Sequence, residues 1–188
     1  YRRELILDSA IVRVTYTYRG IRYTRECFCS HPADALVIRL TPDSAGMLAF
    51  SLGAELLRPE ASISTHEGWL TVRGKSTQPG RVSGGTNFVC RAVVRSRDGI
   101  VEPAGNMISV KNATEAMVYV DLRTDYRCPA YEQLAEMNCY LAARRRYRQL
   151  VERHTTDYTE LYGRVSLTLG DASRDALPTD RRQAEVKA

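Results

Sequence analysis

The chain has 188 residues and a mass of 21.2 kDa, with 44% hydrophobic and 26% charged residues, enough for one ordinary domain with its own core or one domain plus an appendage. No apolar run approaches the roughly 18 to 20 residues with which a helix crosses a bilayer, and 12 glycines and 7 prolines scattered without a period exclude collagen-like, solenoid and wholly disordered chains. The net charge is +5, but every basic residue except Lys75, Lys111 and Lys187 is an arginine, and these are spread through all segments, a compositional bias rather than the single basic stripe of a nucleic-acid-binding face.

Up to Tyr126 the apolar period is two. Ala10, Val12, Val14, Tyr16 and Tyr18 alternate with Ile11, Arg13, Thr15 and Thr17, the pattern of a strand with one packed face. A turn at Arg19-Gly20 leads to a second alternation, Ile21, Tyr23, Arg25 and Cys27 against Arg22, Thr24, Glu26 and Phe28, which together predict a hairpin. Short strands are predicted at 36–40, closed by Thr41-Pro42-Asp43-Ser44, at 47–52, near 62–64 and at 68–73. Gln78-Pro79-Gly80 and Gly84-Gly85 bound a loop before a strand at 87–96, Arg97-Asp98-Gly99 turns the chain, and strands at 107–110 and 116–123 complete the run. About eight to ten short strands spaced about a dozen residues apart predict an antiparallel β-sandwich.

After Cys128-Pro129 the period changes to that of a helix. Tyr147, Leu150, Val151, His154, Tyr158 and Leu161 share one stripe, Gly163 ends it, and Pro129 suits the first turn of an earlier helical piece reaching about Ala143. Whether the two pieces are continuous is left open by the pattern. Val165, Leu167 and Leu169 alternate with Ser166 and Thr168 and predict one more strand at 164–169, and the poorly apolar stretch from Gly170 onward predicts a linker.

The side chains that could carry chemistry are dispersed. Cys27, Cys29, Cys90, Cys128 and Cys139 are odd in number and lack metal-ligand spacing, so they are expected to be unbridged, mostly buried thiols, with no metal site. His31, His66 and His154 lie in no motif with a nucleophile or a second ligand; His154, on the helical stripe, is expected to be a hydrogen-bonded packing residue. Asp34, Glu67, Asp98, Glu102, Asp121 and Asp157 are acids whose pairing spacing cannot show. Trp69 is the sole tryptophan and, with Tyr16, Tyr18 and Tyr23, is a candidate sugar-stacking platform, although aromatics on a sheet more often serve the core. Arg144, Arg145, Arg146, Arg148 and Arg153 point around a helix in different directions and read as a solvated face. No phosphate-cradling glycine loop and no cofactor motif is present.

The order of segments says more than their composition. Tyr1-Arg2-Arg3-Glu4-Leu5-Ile6-Leu7-Asp8, then the strand at 10–18, then Tyr23-Thr24-Arg25-Glu26-Cys27-Phe28-Cys29-Ser30-His31-Pro32 and the stretch 32–40, together resemble the N-terminal domain of glycoside hydrolase family 95, the α-L-fucosidases. The resemblance continues through Ile108-Ser109-Val110, Ala113, Ala116 and Leu122-Arg123-Thr124-Asp125-Tyr126. It is sharpest at His154-x-x-Asp157-Tyr158-x-x-Leu161-Tyr162-x-Arg164-Val165-Ser166-Leu167-x-Leu169-Gly170 and Leu177-Pro178-Thr179-Asp180. Each piece is short, but the collinear set spans nearly the whole chain. Two departures stand out: Arg181-Arg182-Gln183 where the family usually has Glu-Arg-Leu, and Arg97-Asp98-Gly99 where a Gly-Gly turn is usual.

The resemblance implies a multi-domain enzyme: a β-supersandwich, a helical linker, an (α/α)6 barrel holding the active site, and a C-terminal β domain. It also implies inverting hydrolysis of terminal α-1,2-linked L-fucose, in which a glutamic acid protonates the leaving oxygen and asparagines, helped by an aspartate, direct the water. Those residues belong to the barrel, so no catalytic residue is carried onto this chain, and its substrate-binding positions stay unassigned. The expected organisation is a supersandwich-like antiparallel β-sandwich at 1–126, a helical linker at 127–163, and a strand with an extended linker at 164–188 leading toward a barrel that the chain does not include. Neither cofactor, metal, nucleic acid nor membrane is expected as a partner, and the compartment is unassigned. A fucosylated glycan would be met through the full-length enzyme, and the chain would dock on the barrel within one polypeptide. The competing reading is a free-standing carbohydrate-binding β-sandwich.

Overall fold

The computed structural model describes residues 1–56, 61–76, 85–167 and 177–187. In chain order these form β1 (Arg2–Ile6), β2 (Ile11–Tyr18), β3 (Ile21–Ser30), β4 (Ala35–Pro42), β5 (Leu48–Leu52), β6 (Ser62–His66), β7 (Trp69–Ser76), β8 (Thr86–Ser96), β9 (Ile100–Ala104), β10 (Met107–Ala113), β11 (Ala116–Thr124), α1 (Tyr131–Ala143), α2 (Tyr147–Tyr162) and α3 (Thr179–Lys187). An eight-stranded sheet runs β1-β2-β3-β4-β11-β8-β7-β6 and a three-stranded sheet runs β5-β10-β9. Their strand pairs are antiparallel, so the chain is mainly antiparallel β with helices near its C-terminus.

Alternation sends successive side chains to opposite faces of the large sheet, and the registers fix which residues share a face. Leu40 opposes Ala116, and Val118 lies between Ile38 and Val94; Leu70 faces Ala92. These side chains meet Leu48, Ile108, Val110 and Ala113 of the small sheet in one core, with Ile108 and Ala113 at 0% exposure. The opposite face presents Phe28, Val37, Val93, Met117 and Tyr119, and it is covered by Cys139 and Ala142 of α1 and Leu150 of α2. The result is three layers, with the large sheet between a small sheet and a helical layer.

The strands predicted up to residue 123 are present, including the hairpin of β2 and β3 about Arg19-Gly20, with Tyr18 opposite Ile21. Two more strands, β1 and β9, lie at edges, and Pro103 within β9 is tolerated there because an edge strand can leave one side of its ladder unpaired. The two helical pieces are separate: Arg146 is extended at φ −67 and ψ 142, and its N–H donates to Gln149 Oε1 at 3.3 Å, so α2 starts anew. Gly163 caps α2 as expected.

Three expectations for the remainder change or fall outside view. The strand predicted at 164–169 does not form over 164–167, where Val165 and Leu167 are 82% and 80% exposed. Alternation alone makes no strand without a partner edge to accept its hydrogen bonds, and residues 168 and 169 lie outside the described residues. The stretch predicted as extended linker carries α3. There Pro178 O accepts from Arg182 N at 3.1 Å and Asp180 sits in the first turn, while the exposure of residues 179–185 explains why no apolar stripe announced the helix. The predicted loop at 78–85 falls almost wholly outside the described residues.

Candidate functional site

The helical layer is joined to the large sheet by three polar networks as well as by its core. At one end, Arg13 Nη2 and Glu26 Oε1 are 2.9 Å apart, Arg39 Nη1 lies 3.6 Å from Glu26 Oε2, and Tyr147 of α2 donates to that same Oε2 at 2.9 Å. Arg39 also lies over the Tyr147 ring at 4.6 Å and bonds Glu115 at 2.8 Å. Burial, with the Glu26 charge beside it, pushes the Tyr147 hydroxyl well above the ordinary phenol range, so it stays a donor. At the other end, Arg73 Nε reaches both oxygens of Glu132 at 3.1 and 2.9 Å, and Arg91 Nη2 reaches Glu136 at 3.1 Å. The Arg73 hydrogen bond holds the Glu132 carboxyl below its usual range.

Between them lies the pair of acids that the register brings together. Asp121 on β11 is 7% exposed, and both its oxygens accept from Arg123 Nε at 3.0 and 2.9 Å. Arg123 also pairs with Asp34, and Asn138 Nδ2 of α1 contacts Asp34 at 3.3 Å and Asp121 at 2.8 Å. These acids and His31 border an open depression of about 530 Å³ with Leu36, Cys90, Val120 and Leu122. Most glycosidases of the paired-carboxyl kind hold the sugar between the two groups. Here the Arg123 guanidinium and the Asn138 carboxamide bridge the two acids, and Asn138 ties α1 to the sheet.

The other predicted acids have separate tasks. Asp98 accepts from Thr114 N and Thr114 Oγ1, both at 2.6 Å, which pulls its carboxyl below the usual range. Glu102 pairs with Lys111 at 2.7 Å, Asp157 with His31 at 3.3 Å, and Glu67 lies at a hairpin turn beside His66. His154 is 4% exposed, stacks on Phe28 at 4.6 Å and has Nε2 3.0 Å from Ser9 O, the packing role expected of it. Within the arginine group, Arg144 lies over Tyr140 at 5.4 Å and Arg153 donates to Pro32 O at 3.2 Å, so the face is only partly solvated. All five cysteines are free thiols. Cys139 is buried, whereas Cys29 is exposed, against the expectation of burial. Among the described residues no cluster of three or more His, Cys, Asp or Glu could hold a metal, and no helix is long and apolar enough to cross a membrane.

The proposed aromatic platform is not assembled. Tyr16 and Tyr23 stack at 5.2 Å on β2 and β3 and Tyr18 is 57% exposed, but β4, β11 and β8 separate that hairpin from Trp69 on β7. Trp69 instead follows a tight turn in which Glu67 and Gly68 both have positive φ, 44° and 81°. Gly68 is required there, since an added Cβ would also meet Val94 O at 3.2 Å. The turn sets Trp69 opposite His66, against the helix-side core and at the wall of a cleft of about 250 Å³ whose other walls include Thr71, Arg73, Arg91 and Glu136. Sequence spacing missed this grouping because α1, β7 and β8 supply it and only the register β7 to β8 places Thr71 beside Arg91.

Comparison with known proteins places these features. The model of the family described as glycosyl hydrolase family 65, N-terminal domain, matches residues 1–129. The chain is 24% identical to Alpha-L-fucosidase 2 of Arabidopsis thaliana over 92% of its own length and 24% of that protein. It is 25% identical to Probable alpha-fucosidase A of Aspergillus niger over 99% of its length and 25% of that protein. Among solved structures, a putative kojibiose phosphorylase from human microbiome superposes with a TM-score of 0.55 at 11% identity, covering 85% of this chain and 24% of that one, a likeness of fold. The chain thus spans about a quarter of the length of these relatives.

Proposed function

The chain belongs to the glycosyl hydrolase family 65 N-terminal domain family, and from that premise we propose that it is the non-catalytic N-terminal portion of a longer glycoside hydrolase of family 95 type. The full-length enzyme would remove terminal α-1,2-linked L-fucose from glycans with inversion. The single observation that carries the reading is the family match over residues 1–129, flanked by relatives named as fucosidases along nearly the whole chain.

The geometry supports the architectural part. Two helices fixed to the sheet by buried side chains and ion pairs make a stiff layer, and the outer face of α1 carries Met137, Tyr140 and Leu141 at 53%, 44% and 47% exposure. Their spacing is that of one helical stripe, so α1 is apolar on both faces. Leu161 near the end of α2, and Val165 and Leu167 beyond it, are exposed as well. The helical layer is the side that would dock on the catalytic barrel. The acids described above, by contrast, are engaged in ion pairs and backbone contacts.

Proton NMR of a longer polypeptide that includes this chain, acting on an α-1,2-fucosylated oligosaccharide, tests the proposed reaction. β-L-Fucose should appear first and mutarotate afterwards. Initial release of α-L-fucose, or release of glucose from an α-glucoside in its place, overturns it.

A further inference from the structure

The cleft at Trp69 has no part in the reading above. Its geometry points to a saccharide subsite: we propose that the space between the β6–β7 hairpin and α1 takes one neutral pyranose ring, with its C–H face against Trp69 and its hydroxyls on Arg91 and Glu136.

Three properties of the cleft lead there. The first is size, since about 250 Å³ lies below the roughly 300 Å³ at which sites for drug-sized ligands begin, enough for a single sugar ring and too little for a nucleotide. The second is charge: Arg73 and Arg91 are opposed by Glu132 and Glu136, so a phosphate or sulfate would find no uncompensated cation. The third is the distribution of polar groups. Arg91 has five N–H donors, of which Nη1 reaches Thr71 Oγ1 at 3.3 Å and Nη2 reaches Glu136 at 3.1 Å, while Nε is buried without a partner. The Glu136 side chain is 54% exposed and supplies acceptors. Donors and acceptors beside one flat indole suit a ligand whose rim is hydroxylated and whose face is apolar. The ion pairs set the walls of the cleft without filling it, and Thr71, at 5% exposure, fixes its floor. The inference rests on this cleft alone, so its failure would leave the N-terminal-portion reading standing, and the reverse also holds.

Trp69 is the only tryptophan and lines this cleft, so indole emission of the folded chain responds to a ligand placed there. The chain should be titrated with methyl α-L-fucopyranoside, methyl β-D-galactopyranoside and methyl α-D-glucopyranoside, with sodium sulfate as the anionic probe, and the same glycosides examined by saturation-transfer NMR. At least one glycoside should give a saturable response in the millimolar range. Glu136→Ala and Arg91→Lys should each weaken it by about tenfold, as expected for a lost charge-assisted hydrogen bond, with circular dichroism unchanged. Tyr16→Ala, on the far hairpin, should leave the titration as it was. No saturation with any of the three glycosides by either method overturns the proposal, as does binding that survives Glu136→Ala or sulfate binding in their place.

Discussion

Leu150→Ala tests whether the helices belong to the fold or merely follow it. Leu150 is 1% exposed and sits in the same cluster as Phe28, Val37, Met117 and Tyr119 of the sheet. Truncation removes three buried carbons and leaves a cavity walled by sheet residues that cannot collapse into it, at a cost of about 3 to 4 kcal/mol. That is a large part of a total stability of about 5 to 15 kcal/mol. The assay is urea unfolding followed in parallel by helical circular dichroism and by Trp69 emission, which reports on the sheet. With an m-value of about 2 kcal/mol/M, both midpoints should fall together by about 1.5 to 2 M. Leu161→Ala, at 66% exposure, should change stability by less than about 0.5 kcal/mol. A shift of the helical signal with the Trp69 transition unmoved would show that α2 is a tethered appendage, and the three-layer account would be wrong.

Alkaline pH should weaken the fold. Burial pushes the Cys139 thiol from 9.0 to about 12 and the Tyr119 hydroxyl from 10.0 to about 12. The unfolded chain therefore loses these protons first, and the stability they contribute is complete below pH 9 and lost as pH rises toward 12. At pH 10 the loss is roughly 2 kcal/mol, readable as a lower urea midpoint than at pH 8, with a shallower decline in Cys139→Ala; equal midpoints would refute the assignment. Gly99→Ala should cost about 2 kcal/mol or more, since Gly99 has φ +78 and an added Cβ would collide with the Lys111 and Asn112 backbone. Thermal melting checks it, and an unchanged Tm would show that the Arg97-Asp98-Gly99 turn is free to rearrange.

What the sequence made legible follows from where the physics is local. The β2–β3 hairpin was readable because its alternation and its turn residues agree, and α2 because one stripe carries Leu150 and His154 onto the sheet. β9 was not, since Pro103 and Glu102 mask a strand that survives only as an edge. The pattern at 164–167 misled for the opposite reason: Val165 and Leu167 alternate correctly but have no partner strand among the described residues. The polar groupings were hidden for a third reason. Asp34 meets Asp121, and Trp69 meets Glu136, through strand order and helix docking, neither of which spacing along the chain encodes. The segment order nevertheless pointed to a glycoside hydrolase N-terminal domain, the kind of domain whose family model matches residues 1–129.

The central claim is that these residues support a reaction centre located elsewhere in the polypeptide. Turnover of 4-methylumbelliferyl α-L-fucoside should be measured for residues 1–188 alone and for a longer polypeptide that contains them. The account predicts release at the buffer rate from the former and enzymatic release from the latter. Fucoside hydrolysis by the 188-residue chain, well above the buffer control and abolished by Asp121→Asn, would contradict it.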